Sequence, residues 1–191
     1  MARILLGVTG GIAAFKAVLV LRELMQRGHE VKVVLTEAAQ HFVGPITFGA
    51  LTGDAPVTNL WDARYNGEIH VELADWAEAM VIVPATANTM AKVVHGLADD
   101  ALLATWLCFD QVRVMAPAMH HRMWAQASTQ RNVAQLLADG VILAGPVVGR
   151  LANGAEGNGR MLEPVEIVDV VEACLNPTPA VRPPAGEVWP S

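Results

Sequence analysis

Aliphatic positions along the chain gather into short unbroken runs: Ile4-Leu5-Leu6-Gly7-Val8, Val31 to Leu35, Met80-Val81-Ile82-Val83, Val112 to Met115 and Val141-Ile142-Leu143. Runs without polar alternation are expected of strands covered on both faces. Between them the period changes to that of helices, through Phe15, Val18, Leu21 and Leu24, from Thr36 onward, and over Pro45 to Leu51. Further helices are predicted over Ala74-Asp75-Trp76-Ala77, through Met90, Val93 and Val94, and over Ala101 to Cys108. Another runs through Val133 and Leu136 behind a Ser128-Thr129 cap, and a last one spans Glu166 to Leu175. Strands alternating with helices predict an α/β domain with a parallel sheet.

Three stretches break the alternation. Residues 54 to 69 read as a surface loop with Trp61, Tyr65 and Asn66-Gly67, and His70 follows in a mixed stretch just ahead of the next helix. Gly149 to Met161 carries four glycines within its first eleven residues and reads as a mobile loop able to close as a lid. From Asn176 onward prolines at 177, 179, 183, 184 and 190 predict a disordered tail, so the expected division is a domain over 1–176 and a tail over 177–191.

Composition narrows the picture. Hydrophobic residues reach 53% and charged residues only 17%, more buried-type positions than one ordinary core needs, which predicts doubly covered strands, a subunit interface, or both. With 13 basic against 19 acidic residues there is no basic field for nucleic acid. No apolar run is long enough for a bilayer and the N-terminus lacks a signal-peptide layout, so a soluble, cytoplasmic protein is expected. Cys108 and Cys174 lie in apolar helical patterns and read as packed thiols, not as a disulfide or metal framework.

Candidate chemistry lies where the predicted strands end. The first runs into Thr9-Gly10-Gly11 and a helix, an arrangement that brings backbone N–H groups to a phosphate, although the spacing is neither GxGxxG nor a P-loop. Thr36 ends the second strand and fits a phosphate ligand or a helix N-cap. The third is predicted to stop at Pro84, before Ala85-Thr86-Ala87-Asn88-Thr89, with Asn88 or Thr89 as the alternative, purely structural N-cap. The fourth likewise runs into Ala116-Pro117-Ala118-Met119-His120. Open α/β sheets bind ligands at such carboxyl-end crevices.

In this order, TGGIAAFK, IHVEL, PATANTMAK, PAMHHRMW and GNGRMLEP resemble the homo-oligomeric flavin-containing cysteine decarboxylases over residues 3 to 175. The resemblance implies a doubly wound parallel sheet in a flavodoxin-like, Rossmann-like three-layer domain, with FMN bound between subunits of a homotrimer or dodecamer. It places Thr9, Gly10, Gly11 and Thr36 at the phosphate, and Ala85, Thr86, Asn88 and Thr89 along the phosphate, ribityl chain or ring. Met119 would pack on the isoalloxazine, His70 would be the catalytic base, and His120, Met123, Asn158 and Arg160 would meet the substrate.

The implied reaction is decarboxylation of the cysteine carboxylate of phosphopantothenoylcysteine to phosphopantetheine, in coenzyme A biosynthesis. The carbanion left by simple CO₂ loss has no electron sink; oxidation to a thioaldehyde by FMN supplies one, and decarboxylation then gives an enethiolate. Two positions depart from the resemblance. His120 stands where asparagine is usual, and Asn153 stands where the lid cysteine would donate the proton that completes reduction of the enethiolate. An imidazole still hydrogen-bonds a carboxylate, but asparagine has no titratable proton. The alternatives are therefore a peptidyl-cysteine decarboxylase that stops at the enethiol, or a flavin-binding subunit without catalysis. Because some relatives continue from a proline-rich linker into a synthetase domain, the chain is expected to be either monofunctional or an excised part.

Overall fold

The aliphatic runs become the parallel strands of one sheet. The computed structural model describes residues 1–62 and 67–176, so Tyr65 and Asn66 of the expected surface loop, and the tail over 177–191, lie outside the described residues. In chain order the elements are β1 (Arg3–Val8), α1 (Ala14–Gln26), β2 (Glu30–Leu35), α2 (Glu37–Gln40), α3 (Pro45–Thr52), α4 (Ile69–Trp76), β3 (Ala79–Ala85) and α5 (Ala87–Val94). They continue with α6 (Ala101–Cys108), β4 (Val112–Pro117), α7 (His121–Trp124), α8 (Ala127–Ala138), β5 (Ile142–Leu143), β6 (Val147–Arg150), β7 (Glu156–Arg160) and α9 (Pro164–Leu175). The sheet order is β2-β1-β3-β4-β5, every pairing parallel.

Period-two alternation divides each strand between two cores. Ile4, Leu6, Val8, Val81 and Val83 pack with α1, Phe48 of α3 and α9, while Leu5, Met80, Ile82 and Met115 pack with α4, α5, α6 and α8. Each such side chain, fully buried, contributes roughly 1.5–3 kcal/mol. The sheet is thus covered on both faces, and the doubly wound three-layer architecture is the one observed.

Several local expectations are corrected. Neither proline stops its strand: the β3–β4 register shifts between Ile82 and Ala85, and pairing resumes at Ala85 opposite Pro117. A bulge takes up the residue that has no N–H to give. His70 lies inside α4, not ahead of the helix. The N-cap of α5 is Thr86, not Asn88 or Thr89, and that of α8 is Gln126, not Ser128 or Thr129. Cys174 is partly buried, with burial pushing its thiol up to about 11, but Cys108 is exposed at the end of α6.

The predicted mobile loop is a two-stranded antiparallel hairpin, β6 paired with β7. Its glycines serve close approach. A Cβ on Gly157 would stand 2.7 Å from Cβ of His121, and one on Gly149 2.7 Å from Cδ of Arg160. Gly159, at φ +149°, donates no side chain at all to the contact and gives its carbonyl to the Met119 N–H at 3.0 Å. Hydrophobic periodicity could not reveal these strands, because glycine contributes neither burial nor alternation.

Candidate functional site

The strand order reverses between β1 and β3, and the loops leaving their carboxyl ends diverge there, opening a crevice. Hydrogen bonds stitch its rim. Thr9 donates its hydroxyl to the Pro84 carbonyl at 2.7 Å, the Thr36 N–H bonds the Val8 carbonyl at 3.0 Å, and the Ala118 N–H bonds the Ala85 carbonyl at 3.2 Å. The Met119 N–H to Gly159 completes the ring and fastens the hairpin to the strand ends. The open cavity within this rim measures about 1200 Å³. That exceeds the several hundred Å³ of a usual single-ligand pocket and leaves room for a cofactor with a substrate beside it.

Of the residues singled out in the sequence, Thr9, Gly10, Gly11, Thr36, Thr86, Asn88, Thr89, Met119, His120, Met123, Asn153 and Arg160 all line this cavity. The glycine turn matters for its backbone. A Cβ on Gly10 would stand 2.5 Å from Cβ and 2.8 Å from the carbonyl carbon of Ala38, so only glycine fits. α1 has Ala13 as an N-cap without a side-chain bond; the Ala14 and Lys16 N–H groups bond the Gly11 and Ala13 carbonyls, and Gly10 and Gly11, which have no side chain, bring backbone to the cavity ahead of the helix. By contrast α2 and α5 are capped: the Thr36 and Thr86 hydroxyls accept from the N–H groups of Ala39 and Thr89, each at 3.2 Å. Thr36 is therefore both N-cap and cavity residue. An uncapped helix start beside threonine hydroxyls, with Phe15, Leu103 and Met119 as apolar walls, fits the phosphate and ring of a flavin nucleotide.

Three of the singled-out residues are elsewhere. Ala85 is fully buried beneath the loop and contributes only its carbonyl. Asn158 is exposed, because alternation after the inward Gly157 turns it to solvent, and the register shift at Gly159 returns Arg160 to the cavity. His70 does not line the cavity of its own chain; its Nδ1 is buried and has no hydrogen-bond partner among the described residues.

The cavity also contains groups that the sequence reading passed over. Lys16, the third residue of α1, lines it four residues after Ile12, and helical spacing from the glycine turn was the available signal. Its Nζ lies 3.0 Å from both carboxylate oxygens of Glu163, which Arg160 also pairs with, and the two cations hold that carboxyl below its ordinary range. Lys92 binds Asp99 at 2.6 Å and lowers its pKa, while desolvation raises that of Asp100, the cap of α6. His120 touches Asn153, with Nε2 and Nδ2 3.1 Å apart, and its ring lies 4.2 Å from that of His121. Desolvation, then the charges of His121 and Arg122, push the His120 imidazole below its usual value, toward the neutral form.

Known proteins resemble this chain in sequence and fold. The family described as Flavoprotein matches residues 1–176. The coenzyme A biosynthesis bifunctional protein CoaBC of Mycolicibacterium smegmatis is 43% identical over 173 residues, covering 91% of this chain and 42% of that protein. CoaBC of Vibrio vulnificus is 39% identical over 178 residues, covering 93% and 44%. The chain thus spans less than half the length of these relatives. Among solved structures, the FMN-dependent cysteine decarboxylase SpaF is 34% identical with a TM-score of 0.74, covering 92% of this chain and 96% of that one. A cysteine-to-serine variant of PPC decarboxylase complexed with pantothenoylaminoethenethiol is 32% identical with a TM-score of 0.78, covering 90% and 96%. The family match over residues 1–176 and the likeness to these cysteine decarboxylases, on the fold described above, lead to one statement: the chain belongs to the Flavoprotein family, among its flavin-containing cysteine decarboxylases.

Proposed function

We propose that this protein decarboxylates the cysteine carboxylate of phosphopantothenoylcysteine with FMN as cofactor. The observation that carries the reading is the convergence of the glycine turn, Thr86 to Thr89, Met119, His120 and Arg160 on one cavity large enough for cofactor and substrate. Similarity to CoaBC over the same residues favours the coenzyme A substrate.

The N–H groups of Gly10 and Gly11, with the Thr36 and Thr86 loops, would hold the phosphate of the flavin, and Met119 and Leu103 would offer apolar surface to its ring. The flavin, when bound, supplies the two-electron oxidation that gives the substrate an electron sink. His120 receives the substrate carboxylate, and Lys16 and Arg160, now shared by Glu163, offer positive charge to an anionic group. His70 removes the thiol proton. Since it lies outside the cavity of its own chain, with an unpartnered Nδ1, it acts on the site of a neighbouring copy. The same proposal includes a homotrimer or dodecamer with FMN at the interface, and exposed Ile12 ahead of α1 with Phe15 and Leu19 on it offers apolar surface for the contact.

A second reading is favoured by Asn153, which offers the lid no acid: the product stops at the enethiol, as a peptidyl-cysteine decarboxylase would make it. Mass spectrometry of the flavin-loaded protein with phosphopantothenoylcysteine separates the two. Loss of CO₂ alone is the expected result. Loss of CO₂ and two hydrogens keeps the substrate and moves the product to the enethiol. An unchanged mass overturns the coenzyme A assignment and directs the assay to a peptide ending in cysteine; flavin binding without reduction by either thiol leaves the non-catalytic subunit.

A further inference from the structure

The two positions at which the chain departs from the pattern it resembles are in contact, and three links run in series through them. The Arg122 N–H meets Nδ1 of His120 at 3.2 Å; Nε2 faces the Asn153 amide at 3.1 Å; the far end of that amide meets the Ala155 N–H at 3.2 Å. Both ends of the series are backbone N–H groups, which only donate. A neutral imidazole has one donor and one acceptor nitrogen, and a carboxamide has one donor and one acceptor end. Two such units between two donors cannot close the pattern.

If Nδ1 accepts from Arg122, Nε2 carries the proton. If the amide oxygen accepts from Ala155, the amide NH₂ points at that Nε2–H. Rotating the amide or moving the ring proton only transfers the donor–donor contact to another link, and protonating the ring adds a second. Only the middle link opens on the cavity, which His120 and Asn153 both line while Arg122 and Ala155 do not. An acceptor inserted there receives both N–H groups and satisfies every member of the series.

We propose that His120 and Asn153 form a two-donor clamp for the substrate carboxylate, with Asn153 as a binding residue supplied by the hairpin. This rests on the reading of the protein as a cysteine decarboxylase. Neutral His120 is the form the clamp requires, in keeping with the direction of its pKa. When the carboxylate departs as CO₂ the two donors face each other again, so the clamp holds substrate in preference to decarboxylated product.

The test is calorimetric titration of the flavin-loaded full chain carrying His70→Ala, so that bound substrate persists. Ligands come in pairs with and without the carboxylate: phosphopantothenoylcysteine against phosphopantetheine, a cysteine-terminated peptide against its amide, and 3-mercaptopropionate against ethanethiol. The carboxylate member is expected to bind about tenfold tighter or better, as for hydrogen bonds to a charged acceptor. Asn153→Ala is expected to remove most of that preference and leave the carboxylate-free member unchanged. Asn153→Asp, whose carboxylate takes the Nε2–H itself, is expected to abolish it. An unchanged preference in Asn153→Ala, or equal weakening of both members, overturns the clamp. If neither large pair binds, the decarboxylase reading fails on its own. The clamp is then decided by 3-mercaptopropionate: it stands if that thiol acid loses affinity in Asn153→Ala, and falls if it binds both proteins equally or binds neither.

Discussion

The side of the cavity formed by the ends of β1, β2 and β3 is built from groups that already have their partners, whereas the side around the β6–β7 hairpin, where Lys16 of α1 and His120 after β4 meet Arg160 and Asn153, is built from groups that share or compete for theirs. On the first, the Thr9, Thr36 and Thr86 hydroxyls are fixed by bonds to backbone within the neighbouring loops, and Gly10 is wedged against Ala38. On the second, Lys16 and Arg160 share one carboxylate, and in the proposed clamp His120 and Asn153, in contact at 3.1 Å, present donors to one another. A fixed wall suits a resident cofactor, because binding then requires no reorganisation. A wall of shared or mismatched partners suits a transient anionic ligand, which takes over bonds that are only provisionally filled.

The sharpest challenge to this comparison comes from a residue in neither wall. His70→Ala is expected to retain flavin yet lower CO₂ release by roughly 10²–10⁴-fold, the usual worth of a general base. Flavin absorbance and CO₂ evolution measure the two, and normal turnover would mean that the walls of one chain suffice.

Gly10→Ala attacks the fixed wall. Its new Cβ meets the backbone and side chain of Ala38, at a cost of about 1–3 kcal/mol, and purified protein is expected to lose its flavin. Gly11→Ala is the control. Its Cβ meets nothing nearer than Thr86 Cγ2 at 3.6 Å, so flavin should remain. Equal loss from both would show that the turn is not held as described.

Asn153→Cys acts on the second wall. It is expected to raise the ratio of saturated thiol to enethiol in the product, read by mass spectrometry; an unchanged ratio would assign protonation to another group.

Glu163→Gln has the smallest expected effect. Because Lys16 and then Arg160 depress the Glu163 pKa, its stabilising contribution is present above the unfolded-state carboxylate pKa and is lost as pH falls through the lower folded value. The carboxylate is about half exposed, at 46%, so the loss at neutral pH should stay under about 1 kcal/mol. Thermal unfolding at neutral pH should separate the variant from the parent, and in strongly acidic buffer the two should converge. A difference that persists in acid would mean that Glu163 acts through something other than its charge.

Near-neighbour physics made much of this protein readable from its sequence. Unbroken aliphatic runs announced strands buried on both faces, and a Gly-Gly turn between strand and helix announced a backbone-lined site, because both depend on residues adjacent in the chain. Order along the chain then sufficed to bring the ends of the first and third strands to one crevice. What the tertiary structure alone decided involved partners far apart. The glycines of 149–161 signify flexibility until His121 and Met119 are packed against them, when they become the requirement for a hairpin lying flat on that loop. Lys16 was unremarkable until it was seen to share Glu163, 147 residues away, with Arg160. Likewise His120 and Asn153 were two separate departures 33 residues apart, and only folding made them one pair, since hydrogen-bond complementarity belongs to positions in space and leaves no period in the sequence.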